Sequence, residues 1–226
     1  MNTTTAPAQA SQSLGSLAVQ IPGATAVFRR LKLDFCCGGQ QSLDAACASK
    51  GLDADAVLGE IQALQHIEAA PTAPQPAELI EHILRRYHEV HRQQLPELIR
   101  MARRVEAVHR DHPQVPRGLA DHLETMEQEL LDHMAKEEQI LFPLLRQGGH
   151  PMVVHPIGVM RHEHVGHGAQ IERLAAFTNQ HQPPEGACNT WQALYAGTAR
   201  LTEDLIEHIH TENNLLFPVF EDQAQH

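Results

Sequence analysis

The chain has little of several things that would direct it to common functions. Only 4% of its 226 residues are aromatic, and no Lys/Arg cluster relieves a formal net charge of -11, so the electrostatic footprint of a nucleic-acid binder is missing. No apolar run approaches the roughly 20 residues of a membrane span. The opening MNTTTAPAQASQS has neither a basic region nor an apolar signal core, so the expected location is the cytoplasm. The four cysteines, Cys36, Cys37, Cys47 and Cys188, are too few and too unevenly spaced for a disulfide scaffold. An alternating strand pattern is absent, and so is the H-E-x-x-H zinc signature, since HEVHR and HEHVG both fail at the last position.

What is present is a 42% hydrophobic content, enough for a core, and 17 histidines. The stretch AAPTAPQP, Ala69 to Pro76, reads as a linker because its three prolines cannot sit inside a helix. It divides a small helical domain over 1–70 from a larger one over 77–226, with 71–76 between them. In the first, IPGATAVFRRLKL predicts a short helix from Ile21 to Leu33, stopped by DFCCGG; two more helices follow, with Ser42 and Asp53 as caps. After the linker, amphipathic helical stretches cover roughly 77–110, 117–147, 152–181 and 188–222, separated by DHPQVPRG, RQGGHP and HQPPEG. Four similar helices on short connections predict an all-α fold with an antiparallel four-helix bundle.

The bundle writes one phrase twice. HMAKEEQILFP from His133 and HIHTENNLLFP from His208 share H-x3-E-x3-LFP, pairing His133 and Glu137 with His208 and Glu212. Upstream of each stands an H-x2-H: His88 and His91 in YHEVH, His164 and His167 in EHVGH. The offsets agree, 133 minus 88 being 45 and 208 minus 164 being 44. The domain therefore reads as two helical hairpins carrying the same polar set.

Residues four apart share a helix face, so each His-Glu pair points one way. Around them Leu119, Leu123, Met126, Leu130, Ile140 and Leu144, and Leu201, Leu205, Leu215 and Val219, mark the expected buried stripes. Polar groups on a buried face need compensation, and the stripes hold hardly any Lys or Arg. Four imidazoles and two carboxylates converging from four helices can instead hold two divalent ions, with the carboxylates bridging. Donors without thiolate suit iron, manganese or zinc better than copper(I) or magnesium. The ferritin-like pattern fits poorly, because Glu106 to His109 and Glu207 to His210 fall at unmatched places in the hairpins. His91 and His167, each a turn from a better candidate, can pack or serve as outer partners of the ligands. Glu129, four residues before His133, and Glu163, directly before His164, are candidates to hydrogen-bond ligand imidazoles or line an access path.

With DFCCGG, RYHEVHRQQLPEL, HMAKEEQILFP, the EH of RHEHVGH and HIHTENNLLFP in hand, the chain resembles the hemerythrin-like di-iron proteins. Within them it is similar to the family that repairs iron-sulfur clusters after nitrosative or oxidative damage. The resemblance runs from about Leu14 onward. It implies His88, His133, Glu137, His164, His208 and Glu212 as ligands of a centre of two non-haem iron ions, with an oxo or hydroxo bridge. It further implies a cytoplasmic protein, often a homodimer, that acts on damaged iron-sulfur proteins, supplies iron and reacts with nitric oxide. An O2 or nitric oxide carrier, scavenger or sensor, and a nitric oxide reductase, are the competing functions for the same pocket. The N-terminal module favours repair over a simple gas carrier, which needs only the bundle. Cys36 and Cys37 are candidate redox or iron-transfer thiols, since adjacent cysteines join only through a strained, easily reduced ring and Gly38-Gly39 frees the backbone around them. Cys47 and Cys188 read as core or incidental.

Overall fold

The computed structural model describes residues 9–64, 75–149 and 151–223, and their regular structure is helical throughout. Most of the proline-rich segment, 71–74, lies outside the described residues. The N-terminal module comprises α1 (Leu14–Gln20), α2 (Ala24–Arg30), α3 (Leu43–Lys50) and α4 (Ala54–Leu64). Three of the four starts have a side-chain cap, and α2 begins at Gly23 without one. Ser13 accepts from the Ser16 N–H, Ser42 from Ala45, and Asp53 Oδ1 from Asp55 and Ala56. The helix expected over Ile21 to Leu33 is shorter, because Gly23 at φ 86° and Lys32 at φ 54° are left-handed and bound α2 on both sides. Leu14, Leu17, Ile21, Phe28, Phe35, Leu43, Cys47 and Ile61 close a separate small core.

The bundle consists of α5, α6, α7 and α8. α5 runs as Pro76–Ile83, a π-helical turn Leu84–His88, and Glu89–Val108. α6 runs as Leu119–Lys136, a π turn Glu137–Leu141, and Phe142–Arg146. α7 spans Val154–Phe177 without such a turn, ending before a left-handed run at Asn179, Gln180 and His181. α8 runs as Asn189–His210, a π turn Thr211–Leu216, and Phe217–Gln223. Consecutive helices lie side by side, so they alternate in direction, and α5 and α7 are diagonal and run the same way. Leu95, Leu123, Met126, Leu130, Trp191, Leu201 and Leu205 fill one end of the bundle; Ile80, Ile83, Leu141, Phe142, Leu145, Leu216 and Phe217 fill the other. Each such side chain contributes roughly 1.5–3 kcal/mol through burial.

The π turns correct the predicted stripes. A π turn holds one residue more than an α turn, which rotates everything beyond it. Ile140 and Leu144 are therefore 56% and 38% exposed, while Leu141 and Leu145 are 1% and 2% exposed. In α8 the same shift buries Leu216 and Phe220 in place of Leu215 and Val219. The repeated LFP supplies the cause. Pro143 and Pro218 have no N–H to donate, and their rings crowd the carbonyl one turn back, so the ladder opens just ahead of them.

The small module is docked on the bundle. Asn213 Nδ2 donates to the Cys36 carbonyl and Asn214 Nδ2 to the Phe35 carbonyl, at 2.9 and 3.0 Å. Arg29 pairs with Glu207, and Phe35 packs edge-on against His210. A close backbone approach makes this joint possible: a Cβ at Gly39 would stand 2.5 Å from the Phe35 carbonyl oxygen and 3.0 Å from Asn214 Oδ1. Gly39→Ala should therefore cost about 1–3 kcal/mol at this joint. The expected result is faster protease cleavage within the N-terminal module, with the helical circular dichroism of the bundle retained; cleavage at the wild-type rate would show that the approach is not needed.

Candidate metal centre

The six residues singled out by the repeat meet in the middle of the bundle. All are 0–1% exposed. They form two groups that could hold a metal ion, His88, Glu137, His208 and Glu212, and His133, Glu137, His164 and Glu212, with the donor atoms of each group within 4.8 Å of one another. Glu137 reaches His88 Nε2 at 3.3 Å and His133 Nε2 at 3.5 Å. Glu212 reaches His164 Nε2 at 3.0 Å and His208 Nε2 at 3.3 Å. Both carboxylates thus span the two groups. The π turns begin at Glu137 and contain Glu212, so the widened ladder lies where the carboxylates enter the site.

The outer edges of the rings set their tautomers. His88 Nδ1 faces Glu138 Oε1 at 2.7 Å, and His133 Nδ1 faces Glu163 Oε2 at 2.9 Å. Burial opposes the Glu138 charge, but hydrogen bonds from His88 and Arg92 outweigh it and hold the carboxyl below its ordinary range. His164 Nδ1 faces Asn213 Oδ1 at 2.9 Å, and the other end of that amide donates to Cys36. Burial, with the neighbouring His208 next, draws His88 down to about 4, and burial holds His133 well below its usual value, so both rings are neutral at pH 7. With the proton fixed on Nδ1, the Nε2 atoms of His88, His133 and His164 carry lone pairs aimed inward.

This arrangement fits a metal. His133 Nε2 and His164 Nε2 stand 3.1 Å apart, lone pair toward lone pair, and His88 Nε2 lies 3.2 Å from His208 Nε2. Among the described residues no hydrogen-bond donor meets an oxygen of Glu137 or Glu212 in acceptable geometry, although both carboxylates are fully buried. The contacts at 3.0–3.5 Å join acceptors to acceptors where the tautomers are fixed, so they are not hydrogen bonds. Burial, then the Glu212 charge, pushes the Glu137 carboxyl well above its ordinary range. A cation between these atoms converts every one of the repulsions into a bond.

The other predicted residues are placed as follows. Glu163 also takes Lys136 Nζ at 2.6 Å. Glu129 is exposed and bonds the Gln170 amide, not an imidazole. Cys36 and Cys37 carry free thiols, 3.7 Å apart, and Cys37 Sγ lies 3.3 Å from the His164 carbonyl oxygen. The Cys37 thiol and burial push the Cys36 thiol well up, so Cys36 stays protonated. Cys47 is core; Cys188 is exposed beside His109 Nε2 at 3.2 Å.

His91 and His167 lie outside both donor groups, one turn toward the same end of the bundle, and their rings pack against His208 and His133 at centroid distances of 5.4 and 4.9 Å. Here the repeat runs further than the six residues. His91 is followed three residues on by Gln94, and His167 by Gln170. Gln94 Nε2 bonds Asp204 at 3.2 Å, and Gln170 bonds Glu129; Asp204 and Glu129 each stand four residues before a motif histidine. Sequence reasoning missed Gln94, Gln170, Asp204, Glu138 and Asn213. The first three were within reach of a longer reading of the repeat; Glu138 and Asn213 also share one place in it, directly after the motif glutamate, but differ in residue type.

Fold and donor set define a class, the cation-binding bundles of the hemerythrin type. A profile described as the Hemerythrin HHE cation binding domain matches residues 79–220, and one described as a Domain of Unknown function (DUF542) matches residues 10–65. The iron-sulfur cluster repair protein YtfE of Pectobacterium atrosepticum is 50% identical over 210 residues, covering 92% of this chain and 95% of that protein. Proteins of the same name from Citrobacter koseri and Escherichia coli O81 are each 49% identical over 209 residues, with 92% and 95% coverage. The chain belongs to the YtfE family of iron-sulfur cluster repair proteins. Among the described residues no helix is long and apolar enough to cross a membrane.

Two predictions follow from the buried charges. Metal-free Glu137→Gln should be at least as stable as the wild type at pH 7, by up to about 3 kcal/mol, because it removes a buried carboxyl without a partner. Added divalent ion should raise the melting temperature of the wild type and leave that of the variant unchanged; an equal rise in both would remove Glu137 from the site. For pH, His88 binds its proton less readily in the folded chain, near 4, than at the unfolded 6.5. Its contribution to metal-free stability is full above 6.5 and is lost as pH falls toward 4; Glu137 has the opposite sign, its contribution being lost as pH rises above 4.5. Denaturant midpoints of wild type and Glu137→Gln across this range should separate the two effects, the variant falling more steeply on acidification.

Proposed function

We propose that the bundle carries two non-haem irons, one held by His88 and His208 and the other by His133 and His164, with Glu137 and Glu212 shared between them and an oxo or hydroxo bridge. We infer that the protein uses this centre to support repair of iron-sulfur clusters damaged by nitrosative or oxidative stress, by supplying iron. The observation that carries the reading is the pair of inward lone pairs on His133 and His164, 3.1 Å apart with both Nδ1 protons committed to outer partners. The name of the relatives, at half identity over nearly the whole chain, supports repair as the use of the site.

Bound iron supplies open positions for a small ligand such as nitric oxide or O2, and one ion is itself the cargo in repair. The chain's residues do the rest. Glu138 and Glu163 orient the imidazoles and raise their basicity, and Glu137 and Glu212 neutralise part of the cation charge while spanning both positions. The core at either end keeps water from the carboxylates. Cys37, at the edge of the bundle against the His164 carbonyl, stands where a departing ion or an electron would meet a thiol, and protonated Cys36 beside it is the reserve donor. Damaged iron-sulfur proteins are the partners, the setting is the cytoplasm, and the assembly is a homodimer.

The test is anaerobic metal analysis with Mössbauer spectroscopy, followed by addition of a protein whose cluster has been damaged. The expected result is two irons per chain, loss of iron from the bundle and recovery of the client. Two irons that stay bound while nitric oxide is taken up would make the protein a scavenger or sensor, and turnover of nitric oxide would make it a reductase. The double variant Cys36→Ser, Cys37→Ser should load iron normally and repair the client several-fold more slowly; full recovery without the thiols would reduce DFCCGG to a structural stop.

A further inference from the structure

The outer partners of the ligand rings are not equivalent. His88 and His133 lean on Glu138 and Glu163, carboxylates that belong to the bundle. His164 leans on the neutral amide of Asn213, which the N-terminal module shares. Asn213 lies directly after Glu212 in the π turn of α8 and is 3% exposed. Its Oδ1 accepts from His164 Nδ1 and its Nδ2 donates to the Cys36 carbonyl, both at 2.9 Å; its own carbonyl accepts from Arg161 at 3.0 Å, which fixes the backbone under the amide. A second contact runs beside this one, since Cys37 Sγ lies 3.3 Å from the His164 carbonyl oxygen. The joint between the modules therefore includes a metal-site histidine at both its ring and its backbone. Its other contacts pair Asn214 with the Phe35 carbonyl, Arg29 with Glu207, Phe35 with His210 and Lys32 with Gln180.

We propose that Asn213 is a positioning residue that couples docking of the Cys36-Cys37 loop to the hold of His164 on its iron, so that displacing the loop loosens one of the two irons and leaves the other. The inference rests on the metal centre proposed above and deepens it by naming the control over iron release. Its physical basis is the shared amide. While the Cys36 carbonyl holds Nδ2, Oδ1 is turned to the imidazole, the proton stays on Nδ1, and Nε2 presents its lone pair to the site. When the loop leaves, the amide is free to turn, and a turned amide presents N–H to the ring, favouring the tautomer that cannot ligate. A client that engages the thiol loop thus loosens the iron next to it. Linkage makes the effect reciprocal: iron at His164 must hold the loop down as strongly as the loop holds the iron.

Reciprocity gives the test, in a Cys188→Ser background that removes the exposed thiol. Alkylation of Cys37 by iodoacetamide, located by peptide mass, is measured in the metal-free protein and after anaerobic loading with two equivalents of ferrous iron. Iron release to a chelator is measured with and without prior alkylation. Loading should slow alkylation about tenfold, and alkylation should speed release of one iron of the two by a similar factor. In Asn213→Ala both effects should fall below about twofold with two irons still bound. Asn213→Asp keeps the acceptor for His164 and loses the donor to Cys36, so it should hold both irons at least as firmly as the wild type with the coupling gone. It also carries the test if the alanine variant does not fold. Coupling that survives in Asn213→Asp, or alkylation that loosens both irons equally, would overturn the proposal. A wild-type chain that binds no iron would overturn the metal centre itself, and this inference with it.

Discussion

Two carboxylates and four imidazoles meet at the centre of an apolar bundle with no donor among them to satisfy the oxygens, and the rest of the structure is arranged around that conflict. In the absence of a cation the site opposes folding: burial and the Glu212 charge push the Glu137 carboxyl well above its ordinary range, and the inward lone pairs of His133 and His164 repel. Two cores, one at each end, supply the hydrophobic stabilisation that lets the site exist before any ion arrives. The π turns belong to the same arrangement. They lie at His88, Glu137 and Glu212, where a regular ladder would fix the side chains at α spacing, and the prolines after the last two open the ladder at a cost that the cores absorb.

Why these groups do not collapse into hydrogen bonds with one another is answered one shell out. A neutral imidazole has one proton and one lone pair, so whichever partner takes the Nδ1 proton decides what Nε2 can do. Glu138, Glu163 and Asn213 take it at three of the four rings. Glu138 is itself held by Arg92 and Glu163 by Lys136, which keeps both in place. The site is therefore pre-organised from outside: salt bridges on the bundle surface fix carboxylates, carboxylates fix protons, and protons fix the direction of the lone pairs.

Much of this was legible in the chain because helical geometry is a simple transform. The spacing of His133 and Glu137, read at 3.6 residues per turn, places them on one face, and repetition at His208 and Glu212 shows that the face is used twice. The capping residues Ser42 and Asp53 were equally visible, since a cap is a local interaction. Ile140, Leu144 and Val219 were misplaced because one residue too many in a turn leaves no mark in the hydrophobic period until its effect downstream is seen. Pro143 and Pro218 carried the only local hint of it. Glu138 and Asn213 were out of reach for a different reason: each acts on a histidine of another helix, and sequence spacing says nothing about which helix will be the neighbour. Glu129 shows the converse, sitting at the right spacing from His133 but turned to Gln170 on α7.

The chain is thus symmetric in the donors it brings to the centre and asymmetric in what surrounds them. Both hairpins give the same histidines, the same glutamate and the same Gln behind the second histidine, so the two donor groups begin as equals. The surroundings then separate them. One position keeps His88 fixed to a bundle carboxylate. The other includes His164, whose ring and backbone both touch the thiol loop. A carrier of a small ligand would gain nothing from such a difference, because it needs both ions to stay. A protein that gives up an ion gains a direction of release, toward Cys37, and a way to retain the ion until the loop is engaged. The docked N-terminal module favours the second reading for this reason: besides its other contacts with the bundle, it reaches His164 at both ring and backbone, through Asn213 and Cys37.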